Sequence, residues 1–185
     1  MWREEQTVRR EEIENLDLFL SNGNPYDLIQ VYHRDVEHQE PPLLFHGAGN
    51  GFENVSAQSG PLFTRNFSAR GLAGGDFNND GGVDILVSLN GGVPLLLRNN
   101  VGKLNHWVGL TLVGTKLNRD AAGTRVTYQV GRLKRSRMKT GGGSFLSSHD
   151  PRLVLGLVQR TKIDLLEMRW PRTEQCDRAF HRSSH

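Results

Sequence analysis

Two stretches of this 185-residue chain read alike, and their likeness limits what it can fold into. LDLFLSNG (16–23) and VDILVSLNG (83–91) each set an aspartate ahead of an apolar triplet, then a serine, then an Asn-Gly turn, the second with one extra residue. PLLFHG (42–47) and PLLLRN (94–99) repeat the likeness in the same order, with residues 25–39 inserted in the first copy. Apolar runs this short, closed by turn residues, suit strands rather than helices, which take about ten residues or more. Twenty-one glycines against seven prolines, spread between such runs, point the same way, so the expected fold class is all-β.

A repeat of a few short antiparallel strands is how a β-propeller blade reads in sequence. One to two blades are expected over residues 16–104, after a charged opening segment, 1–15, that suits a short helix. A ring takes roughly four to eight blades, so the chain is expected to be part of a larger propeller. From Asn105 the texture changes. WVGLTLV (107–113) and TRVTYQV (124–130) alternate, and IDLLEMRW (163–170) is a strand candidate closed by Pro171. These predict a small β-rich, sandwich-like domain over 105–171. Residues 172–185 lack periodicity and read as a disordered tail.

Hydrophobic residues make up 36% of the chain, enough for a core. Its formal charge of +3 comes from interspersed acids and bases, which gives no field demanding a nucleic acid. A single cysteine, Cys176, excludes an internal disulfide and a cysteine-rich zinc site. No apolar run approaches the roughly 18 residues of a membrane span, and the acidic N-terminus is no secretory signal.

The chemistry concentrates in GDFNNDGGVD (75–84). Counting from Asp76, oxygen-bearing side chains fall at the first, third, fifth and ninth places: Asp76, Asn78, Asp80 and Asp84. A backbone carbonyl at the seventh, Gly82, adds a further donor, and Gly81 at the sixth permits the sharp turn that brings them together. Three carboxylates and an amide suit a hard cation, calcium above all, and no histidine or cysteine in the loop invites zinc. An EF-hand would place a glutamate at the twelfth position, where Val87 stands, and helices where the flanks here are strand-like. Two other uses are open to the stretch, an ion-free polar turn and a carboxylate pair for acid-base catalysis. The second lacks a neighbouring nucleophile or oxyanion donor.

The stretch 75–89 resembles the FG-GAP or VCBS type of repeat, whose blades carry such a loop running into an apolar strand. NRDAAGTRV (118–126), GGSFLSS (142–148), DPRLVLGL (150–157) and MRWP (168–171) resemble the ASPIC/UnbV domain, in the expected order. This combination is similar to bacterial exported proteins and to the animal cartilage acidic protein family. The resemblance implies a non-enzymatic, calcium-stabilised interaction or adhesion scaffold, secreted, periplasmic or extracellular, that binds a protein or glycan. Its implied calcium ligands are Asp76, Asn78, Asp80, the Gly82 carbonyl and Asp84. The alternative is an accessory part of a carbohydrate-active or other exported enzyme whose catalytic residues lie outside this chain. The first repeat departs from the pattern. It keeps only Asp17 of the loop, and in the C-terminal part GLV (156–158) stands where Gly-Leu-Gly is usual.

Three further stretches carry residue types with chemical potential. Arg132, Lys134, Arg135, Arg137 and Lys139 make a basic run that suits either a solvated hairpin or contact with a polyanion. His33, His38 and His46 fit no metal-ligand spacing and read as surface histidines. Ser144, Ser147, Ser148, His149 and Asp150 contain the residue types of a hydrolytic triad, but as near neighbours in one loop they do not suit its geometry.

Overall fold

A computed structural model describes residues 17–48, 50–100, 105–116 and 118–171, and the backbone of 177–180. The opening segment expected to be helical lies outside the described residues. The described chain is built from strands, with one helical turn, α1 (Ile29–Tyr32), in the 25–39 insertion and two 3-10 turns at Ser56–Gln58 and Pro61–Thr64. No helix among these residues is long and apolar enough to cross a membrane.

The first half forms two three-stranded antiparallel sheets. One joins β1 (Leu18–Leu20), β2 (Leu43–Ala48) and β3 (Gly51–Asn54); the other joins β4 (Ala69–Gly75), β5 (Asp84–Leu89) and β6 (Leu95–Leu97). The two copies seen in the sequence pair identically. Leu18 lies opposite Phe45 and Leu20 opposite Leu43, just as Ile85 lies opposite Leu97 and Val87 opposite Leu95.

What differs is the face each sheet buries. Because side chains alternate along a strand, Phe19 and Leu44 share one face of the first sheet and Ile85, Val87, Leu95 and Leu97 one face of the second. These meet in a common core with Leu62, Phe63 and Ala69, and the Phe19 and Phe63 rings sit edge to face at 5.9 Å. In the repeat, Phe19 and Leu44 correspond to Leu86 and Leu96, which in the second sheet stand outward, 47% and 44% exposed. The sheets therefore stack head to tail, each using a different face. The second sheet is left with Leu86 and Leu96 open, and the first with Leu18, Leu20 and Phe52.

The second half is a two-sheet β sandwich. β7 (His106–Leu110) pairs with β10 (Leu153–Val158), and across the core lie β9 (Leu133–Met138), β8 (Arg125–Val130), β11 (Leu165–Arg169) and β12 (Asp177–Phe180). Val126, Tyr128 and Val130 from β8 meet Leu155 and Leu157 from β10, all at most 4% exposed, with Val108, Leu110, Leu166 and Met168 around them. Residues 177–180, expected to trail as part of the tail, instead pair with β11, from Leu166 opposite Phe180 to Arg169 opposite Asp177. β11 would otherwise offer its unpaired backbone at the sheet edge, and a strand that supplies partners is favoured there. Residues 172–176 and 181–185 lie outside the described residues.

Leu155 has no exposed surface. Leu155→Ala is expected to lower stability by about 2–5 kcal/mol, read as a lower urea midpoint. A midpoint unchanged within error would place Leu155 outside the core of the sandwich.

Candidate metal centre

Residues 76–83 connect β4 to β5, and Gly75 and Asp84 close the pair of strands opposite one another. The loop turns through two residues in the left-handed region, Asn79 (φ 57°) and Gly81 (φ 87°). That turn points backbone amides inward, where the acidic side chains collect them. Asp76 accepts from the Asp80 amide at one oxygen and the Gly81 amide at the other, both at 3.0 Å. Asp80 accepts from the Gly82 amide at 2.9 Å and from the Asn78 side-chain NH2 at 2.7 Å. Asp84 accepts from the Phe77 amide at 3.1 Å and from the Asn99 amide, just beyond β6, at 2.8 Å.

Asp76 and Asp84 are 2% and 3% exposed. Burial pushes the Asp84 carboxyl above its usual range. The Asn99 and Phe77 amides oppose that rise, while repulsion from Asp80 and Asp76 reinforces it. Burial also pushes Asp80 up, but the Gly82 amide, the Asn78 side chain and the Arg98 guanidinium, 3.5 Å away, outweigh it and hold this carboxyl low.

Among the described residues, no three His, Cys, Asp or Glu side chains converge on one point in the manner of a formed cluster. The donor set nevertheless fits a hard divalent cation. Each carboxylate oxygen has two lone pairs, so those of Asp76 and Asp84 that accept one amide apiece retain acceptor capacity. The Asn78 side-chain oxygen is enclosed and meets no hydrogen-bond donor. An enclosed, unused amide oxygen among mutually repelling carboxylates is the environment a cation relieves. Gly82 is constrained too. A β carbon there would fall 2.8 Å from the Asn99 carbonyl oxygen, so only glycine fits where the loop offers its own carbonyl.

Residues that no motif in the loop announces complete the surroundings. Trp107, on β7 of the sandwich, lies on Gly81, where a β carbon would come within 2.1 Å of the indole Cδ1. Arg152, just before β10, reaches the Asp76 carbonyl oxygen and the Asn79 side chain. Gly81 was legible as a turn former, but its missing side chain also makes room for Trp107. The partners lie 26 to 76 residues away in the chain, where spacing carries no signal.

The other candidates separate in space. The basic run is split by strand alternation. Arg132 and Lys134 are exposed, Arg135 and Arg137 fall on the opposite, half-buried side of β9, and Lys139 is 9% exposed, so the five do not present one face. His46 meets Asp17, Nδ1 to Oδ1, at 2.8 Å. His149 Nδ1 accepts from the Gly74 amide, Asp150 binds Arg152, and Ser147 donates to the Phe145 carbonyl, so each of these residues has its own structural partner.

Fold and site together define a two-part β protein, a stacked pair of three-stranded antiparallel sheets followed by a β sandwich, with an acidic loop where they meet. Residues 114–178 match the family model described as ASPIC and UnbV. The match spans β8 to β11 and reaches into β12; β7 precedes it but supplies the partner strand of β10. No curated protein matches the chain.

The two perturbed loop carboxyls have opposite consequences for stability. Asp80, depressed in the folded state, contributes stability above the unfolded value of 3.8 that is lost as pH falls through its lower folded value. Asp84, raised, contributes stability below 3.8 that is lost as pH rises through its higher folded value. In cation-free protein, carbon-detected NMR titration is expected to find the Asp84 carboxyl above 3.8 and the Asp80 carboxyl below it. The reverse order would contradict this account of the loop.

Proposed function

We propose that the 76–84 loop binds calcium and that the chain is a non-enzymatic, calcium-stabilised interaction module of an exported or extracellular protein. Asp76, Asn78, Asp80 and Asp84 supply side-chain oxygens and Gly82 its carbonyl. The observation that carries this reading is the enclosed Asn78 oxygen, without a donor, beside three carboxylates of which Asp84 is pushed toward neutrality. Bound calcium supplies the positive charge that the backbone amides supply only in part. It ties the end of β4 to the start of β5 and stabilises the fold by mass action. Free calcium near a millimolar is found outside cells, where sites of modest affinity suffice.

The stacked sheets support a propeller-type role for the first half. A head-to-tail contact leaves two open faces that correspond, through the repeat, to the two faces already joined. The Leu86 and Leu96 face matches the Phe19 and Leu44 face, so further sheets of the same kind add by the same packing. In this reading the blades form a scaffold, and the partner is a protein or glycan bound on its surface.

For a calcium affinity near 0.1 mM, 10 mM calcium stabilises the chain by about 2.7 kcal/mol over chelator, a melting temperature rise of roughly 5–10 °C. Asp80→Ala is expected to abolish the rise. Superimposable melting curves of the unaltered chain in calcium and in chelator would sink the calcium reading.

A further inference from the structure

The loop is held from outside by the β sandwich at three places. At its tight turn, the Trp107 indole lies directly on the backbone of Gly81, so close that any side chain there would displace the ring. At its entry, the Arg152 guanidinium donates to the Asp76 carbonyl oxygen at 2.8 Å and to the side-chain oxygen of Asn79, the residue held at φ 57°. Just before the loop, the Gly74 amide donates to His149 Nδ1 at 3.0 Å and the Gly74 carbonyl accepts from the Asp150 amide at 2.9 Å. Gly75 allows that approach; a β carbon there would meet the Asp150 β carbon at 3.0 Å.

The charges are arranged to order the loop without competing for it. A guanidinium beside a cation site ordinarily opposes the cation. Here Asp150 neutralises it, accepting from Nε at 3.0 and 3.1 Å and from Nη2 at 2.6 Å. Its other hydrogen bonds go to a backbone carbonyl and a side-chain amide, both uncharged, and toward the loop carboxylates it adds only an attraction to Asp76 without a hydrogen bond to it. Arg98, by contrast, contacts the Asp80 carboxylate itself. Arg152 therefore fixes the loop backbone, while Arg98 touches a loop carboxylate.

We infer that cation binding by the loop and docking of the sandwich on the blade are a single linked equilibrium, with Arg152 and Trp107 as positioning residues that hold the loop in its ligating conformation. The inference rests on the calcium reading above. Ordering the loop by either event lowers the cost of the other, and the coupling is reciprocal. Calcium tightens the docked arrangement by the same factor by which docking tightens calcium. The sandwich is then a structural part of the metal site although it supplies no ligand, as outer-sphere residues are elsewhere.

The test uses the full chain and calcium alone as the probe. By titration calorimetry, Arg152→Gln is expected to weaken calcium binding about tenfold, within the range found when outer-sphere partners are removed. Arg152→Lys is expected to behave like Gln rather than restore affinity, because lysine keeps the charge but not the planar fork that spans Asp150, Asn79 and Asp76. In the unaltered chain, calcium is expected to slow hydrogen exchange at the Asp150 and Arg152 amides, which lie outside the loop. This measurement needs no variant and decides the matter should Arg152→Gln fail to fold. Calcium binding by the unaltered chain with no change in exchange at those amides, or with equal affinity in a folded Arg152→Gln, overturns the linkage and leaves the calcium site standing. Absence of calcium binding by the unaltered chain overturns both.

Discussion

The concentration of negative charge at the start of β5 is the constraint on which the other features depend. Asp76 and Asp84 are almost removed from water, and a desolvated carboxylate is tolerated only where donors replace the lost hydration. Asn79 and Gly81 turn the backbone so that the loop's own amides face inward, but that accounts for only part of the demand. One oxygen of Asp84 depends on the Asn99 amide, and therefore on β6 lying alongside β5. The loop thus holds its shape only when its own three-stranded sheet is complete, which makes it a test of the fold as much as a product of it.

The same economy explains why the sandwich sits where it does. β4 is the edge of its sheet, and an edge strand leaves backbone groups unpaired. At Gly74 both are taken by residues 149 and 150, so the connection into β10 covers the edge and delivers Arg152 to the loop in one pass. Glycines at 75 and 81 are what let the second half come this close. Their absence of side chains is a packing requirement between the halves as well as a local requirement of the turn.

Much of the architecture was legible because it is written in local periods. The repeated Asp-apolar-Ser-Asn-Gly pattern led to equivalent strands in equivalent register, and the alternation of 124–130 led to the core strand β8. The loop was legible as a set of oxygens at alternate positions. What the sequence concealed depends on the third dimension. The basic run looks continuous in one dimension and is divided by the two-residue period of β9. Trp107 and Arg152 carry no mark of the loop they hold, and Asp177–Phe180 join a sheet although their own pattern is too short to announce it. The head-to-tail stacking was hidden for a different reason. Both faces of each sheet are apolar, and composition does not say which is buried.

The first repeat clarifies what the loop is for. Asp17 stands where Asp84 stands in the second, at the mouth of the same strand pairing, and His46 stands where Arg98 does. There, among the described residues, one aspartate meets one imidazole at 2.8 Å, with the side chains 16% and 28% exposed, so its partner is a neighbour already in the sheet. The second repeat adds Asp76 and Asp80 to the same corner, and its equivalent neighbour, 40% exposed, reaches Asp80 at 3.5 Å. The two repeats therefore share a need to neutralise an aspartate that opens a buried strand. They part in how many acids stand at that corner, and the second repeat meets the larger number with backbone amides as well as a side chain.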